Sequence, residues 1–325
     1  MNNQVELSII VVNYQTKELL FACLSSVLKT SQDLDIEVIV IDNNSRDDST
    51  IMIKNLFPSV ILIENKVNLG FSAASNLGLK IMKGCYALLL NPDTEIPDGS
   101  LQGMLEVMQT NKNLGILGCK IIDPEGHLQR SAFPVPSLLC EISDALPKLK
   151  LEKILPARFT YRCFDNIMKS AEQPFEVGWV TGACLMIRRE TIQDIGLLDE
   201  NFFLFSEDVD WCIRALKSGW QVMCHPVVHI VHQLGGSSKP ESEETAIRIE
   251  HSFRRRFYFA RKHFGIGGWI IIKLLLVFYV LCGLIFVSLN LKSEVTQAQR
   301  KMRIKGYRAA LASVFREKGI TSGLV

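Results

Sequence analysis

Glu207, Asp208 and Asp210 open a segment in which Val209, Cys212, Ile213 and Leu216 recur at helical spacing. Acidic residues at a helix N-terminus are favoured by the macrodipole alone, so their presence does not by itself indicate chemistry. Spacing separates them. Asp208 stands four residues before Cys212 and borders the apolar face, whereas Asp210 stands four residues before Arg214 and suits an i,i+4 ion pair. Asp208 is therefore the candidate general base, and Asp210 a structural residue. Asn91-Pro92-Asp93 directly follows the apolar run Tyr86–Leu90. A carboxylate there could coordinate a divalent cation that grips a diphosphate, although Pro and Asp also mark ordinary turns. His225, His229 and His232 lie in one stretch before Gly235-Gly236-Ser237-Ser238, a turn suited to backbone approach to phosphate. Each histidine could be a ligand or a core residue. Asn68-Leu69-Gly70-Phe71, with Asn76 beyond it, enters a helix whose N-terminus could face an anion; the bland alternative is a plain loop-to-helix junction.

These residues need elements to hold them. Ser8–Val12, Glu37–Ile41, Val60–Ile63 and Tyr86–Leu90 read as buried strands. Helical patterns over Thr16–Lys29, Ser72–Lys83 and Asp98–Asn111 alternate with them, and Ser45 with Asp48 resembles a capping box. Such alternation predicts an α/β fold with a parallel sheet covered by helices on both faces. Ligands bind such sheets beyond the carboxyl ends of the strands. That rule selects Asn13–Tyr14, Asp42–Ser45, Glu64–Phe71 and Asn91–Thr94, all carrying Asn, Asp or Glu. Further on, Glu207–Ser218 reads as a helix, Trp220–Cys224 as a strand and His225–Ser238 as a loop, while Phe133–Phe175 shows no clean period.

A chain of 325 residues accommodates one large α/β domain with appendages, and a formal charge of +2 argues against a general nucleic-acid binder. No charged leader with a cleavage site precedes the first strand, so a secretory signal is not expected. Nine cysteines, an odd number without a C-x-x-C pair, point to reduced, buried thiols. Trp269–Leu291 is apolar except for Lys273 and would form a helix about 34 Å long, enough to cross a hydrocarbon core. Basic residues flank both ends, Arg254–Arg256, Arg261 and Lys262 before it and Lys292, Arg300, Lys301, Arg303, Lys305 and Arg308 after it. The positive-inside rule then gives no orientation, and an interfacial or re-entrant helix would keep both flanks at anionic lipid.

Taken in order, Ser8–Tyr14, Ile41–Ser45, Asn68–Phe71, Leu90–Thr94, Trp179–Ala183 and Phe203–Asp210, with His232 before Gly235-Gly236-Ser237, resemble the family 2 glycosyltransferases of the GT-A fold. The likeness is to the rhamnosyltransferase-like members of bacterial surface polysaccharide synthesis and covers about residues 5–265. It implies a Rossmann-like nucleotide-diphospho-sugar transferase fold: residues 1–122 for the donor, 123–265 for the acceptor, and 266–325 as a membrane-associated helix and basic tail. By the same resemblance Asn13, Asp42, Asn44, Asn68, Gly70, Asn76, Asn91 and Asp93 would bind the nucleotide-sugar. Trp179, Gly182, Ala183 and Glu207 would face the acceptor. Asp208 would be the base of a single, inverting displacement, and Asp93 with His232 would hold Mn²⁺ or Mg²⁺. Asn91 replaces the first acid of the family's D-x-D motif, which lowers the expected metal affinity.

The implied partners are a nucleotide-sugar such as dTDP-rhamnose, a polyprenyl-diphosphate-linked saccharide and membrane lipid at the cytoplasmic face of the bacterial plasma membrane. Self-association or assembly with other polysaccharide enzymes is compatible with this. The Q-x-x-R-W motif of processive members is missing, so a distributive enzyme is expected. A scaffold that has lost catalysis is the rival reading, supported only by Asn91. A dinucleotide-binding dehydrogenase is set aside, because Asn13-Tyr14-Gln15-Thr16 stands where a G-x-G-x-x-G would follow the first strand.

Overall fold

The computed structural model describes residues 5–138, 161–233, 244–288, 304–308 and 311–312. The chain divides into two compact units, one of residues 1–135, 161–237 and 323–325, the other of 136–160 and 238–322. The Gly235–Ser238 turn and most of the basic residues beyond 291 lie outside the described residues.

In the first unit the expected alternation is present: β1 (Leu7–Asn13), α1 (Lys17–Thr30), β2 (Ile36–Asp42), α2 (Ser49–Leu56), β3 (Ile61–Glu64), α3 (Phe71–Ile81) and β4 (Tyr86–Leu90). Then come β5 (Thr94–Glu95), α4 (Ser100–Thr110), β6 (Leu114–Ile122), β7 (Leu128–Gln129) and β8 (Ala132–Phe133). The unit is completed by α5 (Tyr161–Ser170), β9 (Phe175–Glu176), β10 (Trp179–Val180), β11 (Cys184–Arg188), α6 (Arg189–Ile195), α7 (Glu207–Lys217) and β12 (Gln221–His232).

Ten described strands make one sheet in the order β3-β2-β1-β4-β11-β6-β12-β5, with β7 beside β6 and β9 beside β12. Strands β1 to β4 are parallel, while β11 runs antiparallel between β4 and β6. The sheet is thus mixed beyond its parallel half. Residues of β1 alternate between two cores, as the two-residue period of a strand requires. Leu7, Ile9 and Val11 meet Leu20, Leu24 and Val27 of α1 and Met104 and Met108 of α4. Ile10 and Val12 lie in the other core with Ala74 and Leu79 of α3 and Trp211, Cys212 and Ala215 of α7. Each fully buried Leu or Ile contributes roughly 1.5–3 kcal/mol, so the register that aims them is strongly held.

Two expectations change. The stretch from His225 to His232 is not a loop but the second half of β12, with a register break between His225 and His229. Pro226 has no N–H to give a ladder, and the bulge places it where none is needed. The Ser45–Asp48 capping box is also not formed. Asp47 caps instead: its carboxylate accepts from the Ser49 amide (3.2 Å) and the Lys17 amide (2.8 Å), serving α2 and α1 together. The described cysteines are unbridged, as expected, and Cys23, Cys119, Cys184, Cys212 and Cys224 are buried. Burial pushes the Cys23 thiol up to about 12, so it stays protonated as a packing group under β5.

In the second unit α8 runs from Glu244 to Ser288 and is broken at Gly265, which adopts φ 68°. Its part from Arg255 to Ile285 is long and apolar enough to cross a membrane.

Candidate active site

The sheet register brings the first site residues together. Asn13 pairs with Asp42, and Asp42 with Glu64, at the carboxyl ends of β1, β2 and β3. Asn13 is fully buried and its side-chain amide donates to Asp42 Oδ1 (2.8 Å) and Ser45 Oγ (3.0 Å), while its carbonyl accepts from Thr16 Oγ1 (2.7 Å). The second Asp42 oxygen accepts from the Ser45 amide (2.9 Å). Asn13 therefore orients Asp42, and both of its donor hydrogens are committed to protein. Each Asp42 oxygen keeps a second lone pair for a ligand.

Asn43 was quoted in the sequence motif without a role, and it organises the opposite wall. Its amide donates to the Gly70 carbonyl (3.1 Å), and its oxygen accepts from Asn65 Nδ2 (2.9 Å) and the Leu69 amide (3.2 Å). Asn68 closes the same turn by accepting from the Gly70 amide (2.9 Å). Asn44 adopts φ 68°, a left-handed conformation that Asn tolerates, and is part-exposed at the turn after Asp42. Gly70 has φ 81° and ψ 174°, and a Cβ there would stand 2.5 Å from the Phe203 carbonyl oxygen. That same carbonyl accepts from the Phe71 amide (2.7 Å), so the close approach docks the Phe203–Ser206 loop on the head of α3. Gly70→Ala is expected to destabilise the fold by about 2–4 kcal/mol, from a glycine-only dihedral plus steric displacement. A thermal melt with a parallel nucleotide titration checks this; an unchanged melt would show that the contact is not needed.

Asn76 is buried in α3. Its amide donates to the Leu198 carbonyl and to Glu200 Oε1 (both 2.9 Å), and its oxygen accepts from the Leu198 amide (3.1 Å). It braces the loop before α7 from within the core, in contrast to the donor contact expected of it.

Asn91 and Asp93 follow β4. The Asn91 amide donates to the Ala183 carbonyl (3.0 Å), just before β11. The next amide back, that of Gly182, donates to Asp208 Oδ2 (2.9 Å), and the Val209 amide holds Asp208 Oδ1 (2.8 Å). Two consecutive residues, Gly182 and Ala183, thus link the Asn91–Asp93 turn to Asp208. Asp208 remains part-exposed at the first turn of α7, and Glu207 beside it is buried. Asp210 is fully buried and pairs with Arg214 (2.8 Å), the structural pairing that its spacing predicted. Phe205 and Ser206 both have positive φ just before α7, an unusual backbone for non-glycine residues. Trp179 stacks on Phe133 with ring centres 3.7 Å apart and planes 4° from parallel, which fixes the indole beside Gly182 and Ala183.

Of the three histidines, only His232 reaches an acidic site residue: its Nε2 lies 3.2 Å from Asp93 Oδ1, with both side chains largely buried. The antiparallel pairing of β5 with β12 sets this contact. His225 instead closes the bulge, its Nδ1 facing the Val227 amide (3.3 Å), and burial holds its pKa below the usual histidine value. Gln129 is a residue that no sequence motif indicated. Its Oε1 lies 2.9 Å from His232 Nδ1, and its Nε2 donates to the His232 carbonyl (2.7 Å). With Nδ1 engaged by Gln129, Nε2 is the ring nitrogen turned to the Asp93 carboxylate. An imidazole nitrogen and a carboxylate oxygen 3.2 Å apart are donor types that a divalent cation takes, so Asp93 and His232 would suit such an ion. Gln129→Leu is expected to weaken Mn²⁺ binding about 10–100-fold, with Gln129→Glu, which keeps the acceptor, restoring part of it. Mn²⁺ titration followed by electron paramagnetic resonance reads this without turnover; equal affinity in the Leu variant would remove the role.

A separate group, Asp123, Glu125 and His127, lies in the exposed turn between β6 and β7. There Asp123 accepts from the His127 amide (2.7 Å) and faces its ring (3.0 Å), contacts that close the turn.

The sequence from residue 8 to 196 matches the model of the family described as glycosyl transferase family 2. Among curated relatives, the chain is 28% identical over 277 residues to an N-acetylglucosaminyl-diphospho-decaprenol L-rhamnosyltransferase of Mycobacterium tuberculosis, covering 81% of this chain and 86% of that one. It is 24% identical to the dTDP-rhamnosyl transferase RfbF of Shigella flexneri, covering 81% and 80%. Among solved structures it resembles a mannosyltransferase from Pyrobaculum calidifontis in complex with GDP-Man and Mn²⁺, with a TM-score of 0.55, 15% identity, and coverage of 96% and 88%.

Proposed function

The chain belongs to glycosyl transferase family 2, and from that premise we propose that it moves a sugar, in the first instance rhamnose from dTDP-rhamnose, onto a lipid-diphosphate-linked saccharide by inverting, distributive transfer. The protein is a glycosyltransferase with the GT-A fold. The names of its relatives, which act with rhamnose and with a decaprenol-linked acceptor, support the finer reading. The observation that carries it is the placement of Asp208 and the Asn91–Asp93 turn on the adjacent residues Gly182 and Ala183.

The proposed division of labour follows from that placement. Asp42, oriented by Asn13, holds the nucleoside, with the Asn44 and Asn68–Gly70 turns forming the walls of its pocket. Asn76 keeps the loop before α7 in register. Asp208, held in place by the Gly182 and Val209 amides, takes the proton of an acceptor hydroxyl as that oxygen attacks the anomeric carbon. Trp179, Gly182, Ala183 and Glu207 border the acceptor side. A divalent cation held by Asp93 and His232 would offset the charge of the departing nucleoside diphosphate. One displacement inverts the anomeric centre. The lipid-linked acceptor and the apolar α8 together support action at a membrane, in surface polysaccharide synthesis at the cytoplasmic face.

Asn91 favours a second reading, a fold that binds nucleotide-sugars without turning them over. A panel of nucleotide-sugars, offered with Mn²⁺ and a polyprenyl-diphosphate-linked saccharide, decides between them. Nucleoside diphosphate release with one donor and product of inverted configuration supports transfer. Donor binding with no release under any metal supports the scaffold.

A further inference from the structure

The part of α8 beyond Gly265 has two apolar sides that meet different surroundings. Ile272, Leu276 and Val280 are buried in a cluster with Leu138, Tyr307 and Leu311. On the opposite side Ile270, Leu274, Phe278, Leu281 and Ile285, successive at three- or four-residue steps, are exposed. Such spacing makes one continuous face. The single charge of the segment, Lys273, lies off that face, its ammonium 4.4 Å from the centre of the Trp269 ring.

The covering segment determines how this face can meet a bilayer. Tyr307 rests on α8 at Gly283, where a Cβ would stand 2.8 Å from its ring, and its ring lies edge-on to Tyr279 at 6.5 Å. At 1.5 Å per residue, Tyr279 and Gly283 lie roughly 15–21 Å along the apolar stretch that begins at Trp269. That is about the middle of a hydrocarbon core. Lys305 and Arg308, next to Tyr307 in sequence, are exposed. A spanning helix would therefore carry two cations at the depth where charge is least tolerated. Laid flat, the same helix turns Ile270 to Ile285 into the acyl region and keeps Lys305 and Arg308 on the water side. Arg261 and Lys262, exposed just before the kink, flank the same segment. Arg261, Lys262, Lys305 and Arg308 can then all reach anionic headgroups, and the segment needs no orientation across a bilayer.

We propose that α8 beyond Gly265 lies in the plane of a single anionic phospholipid leaflet and does not cross the membrane. This rests on the membrane attachment in the reading above and not on its transfer chemistry. The test places a fluorescent amino acid, one site at a time, at residues 270, 274, 278, 281 and 285 of the full chain. Vesicles of phosphatidylcholine with and without phosphatidylglycerol carry bromine at graded acyl depths. An in-plane helix gives the same shallow quenching depth at all five sites, with binding to anionic vesicles at least about tenfold tighter than to neutral ones. Lys305→Glu combined with Arg308→Glu should remove most of that preference. A depth profile that is deepest near 278 and shallower towards both ends means a span and overturns the proposal. So does absence of vesicle binding, or emission insensitive to lipid in a chain that sediments as a dimer, where a second copy covers the face. A flat, shallow profile in a chain that releases no nucleoside diphosphate supports the in-plane helix while sinking the transferase reading alone.

Discussion

Asp208→Asn is expected to lower kcat about 10²- to 10⁴-fold, the range that a positioned base supplies, while the donor binds as before. The carboxylate uses one oxygen for the Gly182 amide and the other for the Val209 amide. Asparagine offers only one oxygen, so one of these two bonds is lost, at about 1 kcal/mol. The melt should therefore fall by only a few degrees, far less than the loss of rate would suggest for an unfolded enzyme. Asp210→Asn makes the contrast. Asp210 is fully buried against Arg214, whose guanidinium also donates to the Leu197 carbonyl (2.8 Å). Weakening that pair lowers stability strongly, because Arg214 keeps its charge beside a neutral partner, yet the folded fraction should keep its kcat. Calorimetric donor titration, a thermal melt and acceptor-dependent nucleoside diphosphate release are sufficient. Full turnover in Asp208→Asn would move the base elsewhere.

Asp93→Ala is expected to cut kcat/KM by about 10³, roughly 4 kcal/mol of transition-state stabilisation, and to abolish dependence on Mn²⁺. The proposed cation site would supply two protein donors, Asp93 and His232, 3.2 Å apart. An octahedral cation held by two protein atoms needs oxygens from water or diphosphate for the rest. Metal affinity should therefore be weak in the free protein and rise with bound nucleoside diphosphate, and the nucleotide's affinity should rise by the same factor with metal. Both arms of that cycle are measurable by titration, and in Asp93→Ala both couplings should vanish. If Mn²⁺ still tightens nucleotide binding in the variant, the cation sits elsewhere and the Asp93–His232 pair is an ordinary ion pair.

The parallel half of the fold was legible because its signals are local. Runs such as Ile9–Val12 and Ala87–Leu90 are continuously apolar, as strands buried on both faces must be, and β1 and β4 lie at the expected Ser8–Val12 and Tyr86–Leu90 to within a residue. The structural pairing of Asp210 was readable too, since helical spacing alone places Arg214 beside it. What escaped depends on pairings between distant segments. The contact of Gln129 with His232 exists because the end of β6 carries β7 on one edge and β12 on the other, and no spacing within the sequence announces that. The strand expected over Trp220–Cys224 does not stop there: a bulge between His225 and His229 absorbs Pro226, and β12 continues to His232 beside Asp93. The inward orientation of Asn76 was illegible for the same reason: its partners Leu198 and Glu200 lie more than a hundred residues away. At Ser45 and Asp48 the capping pattern was present, but Asp47, bridging two helices, displaced it.

The antiparallel β11 gives the two halves of the first unit a common ruler. One peptide linkage, from Gly182 to Ala183, sets the offset between the group that would accept a proton and the turn that would meet the leaving group. On the 182–183 side that offset is written in main chain: the Gly182 amide and the Ala183 carbonyl. The family's chemistry can therefore stay constant while side chains on either side of the strand drift, so that new sugars and new acceptors can be recruited without recalibrating the reaction. An insertion of a single residue at 182–183 would shift one of these links against the other and should break the register between them.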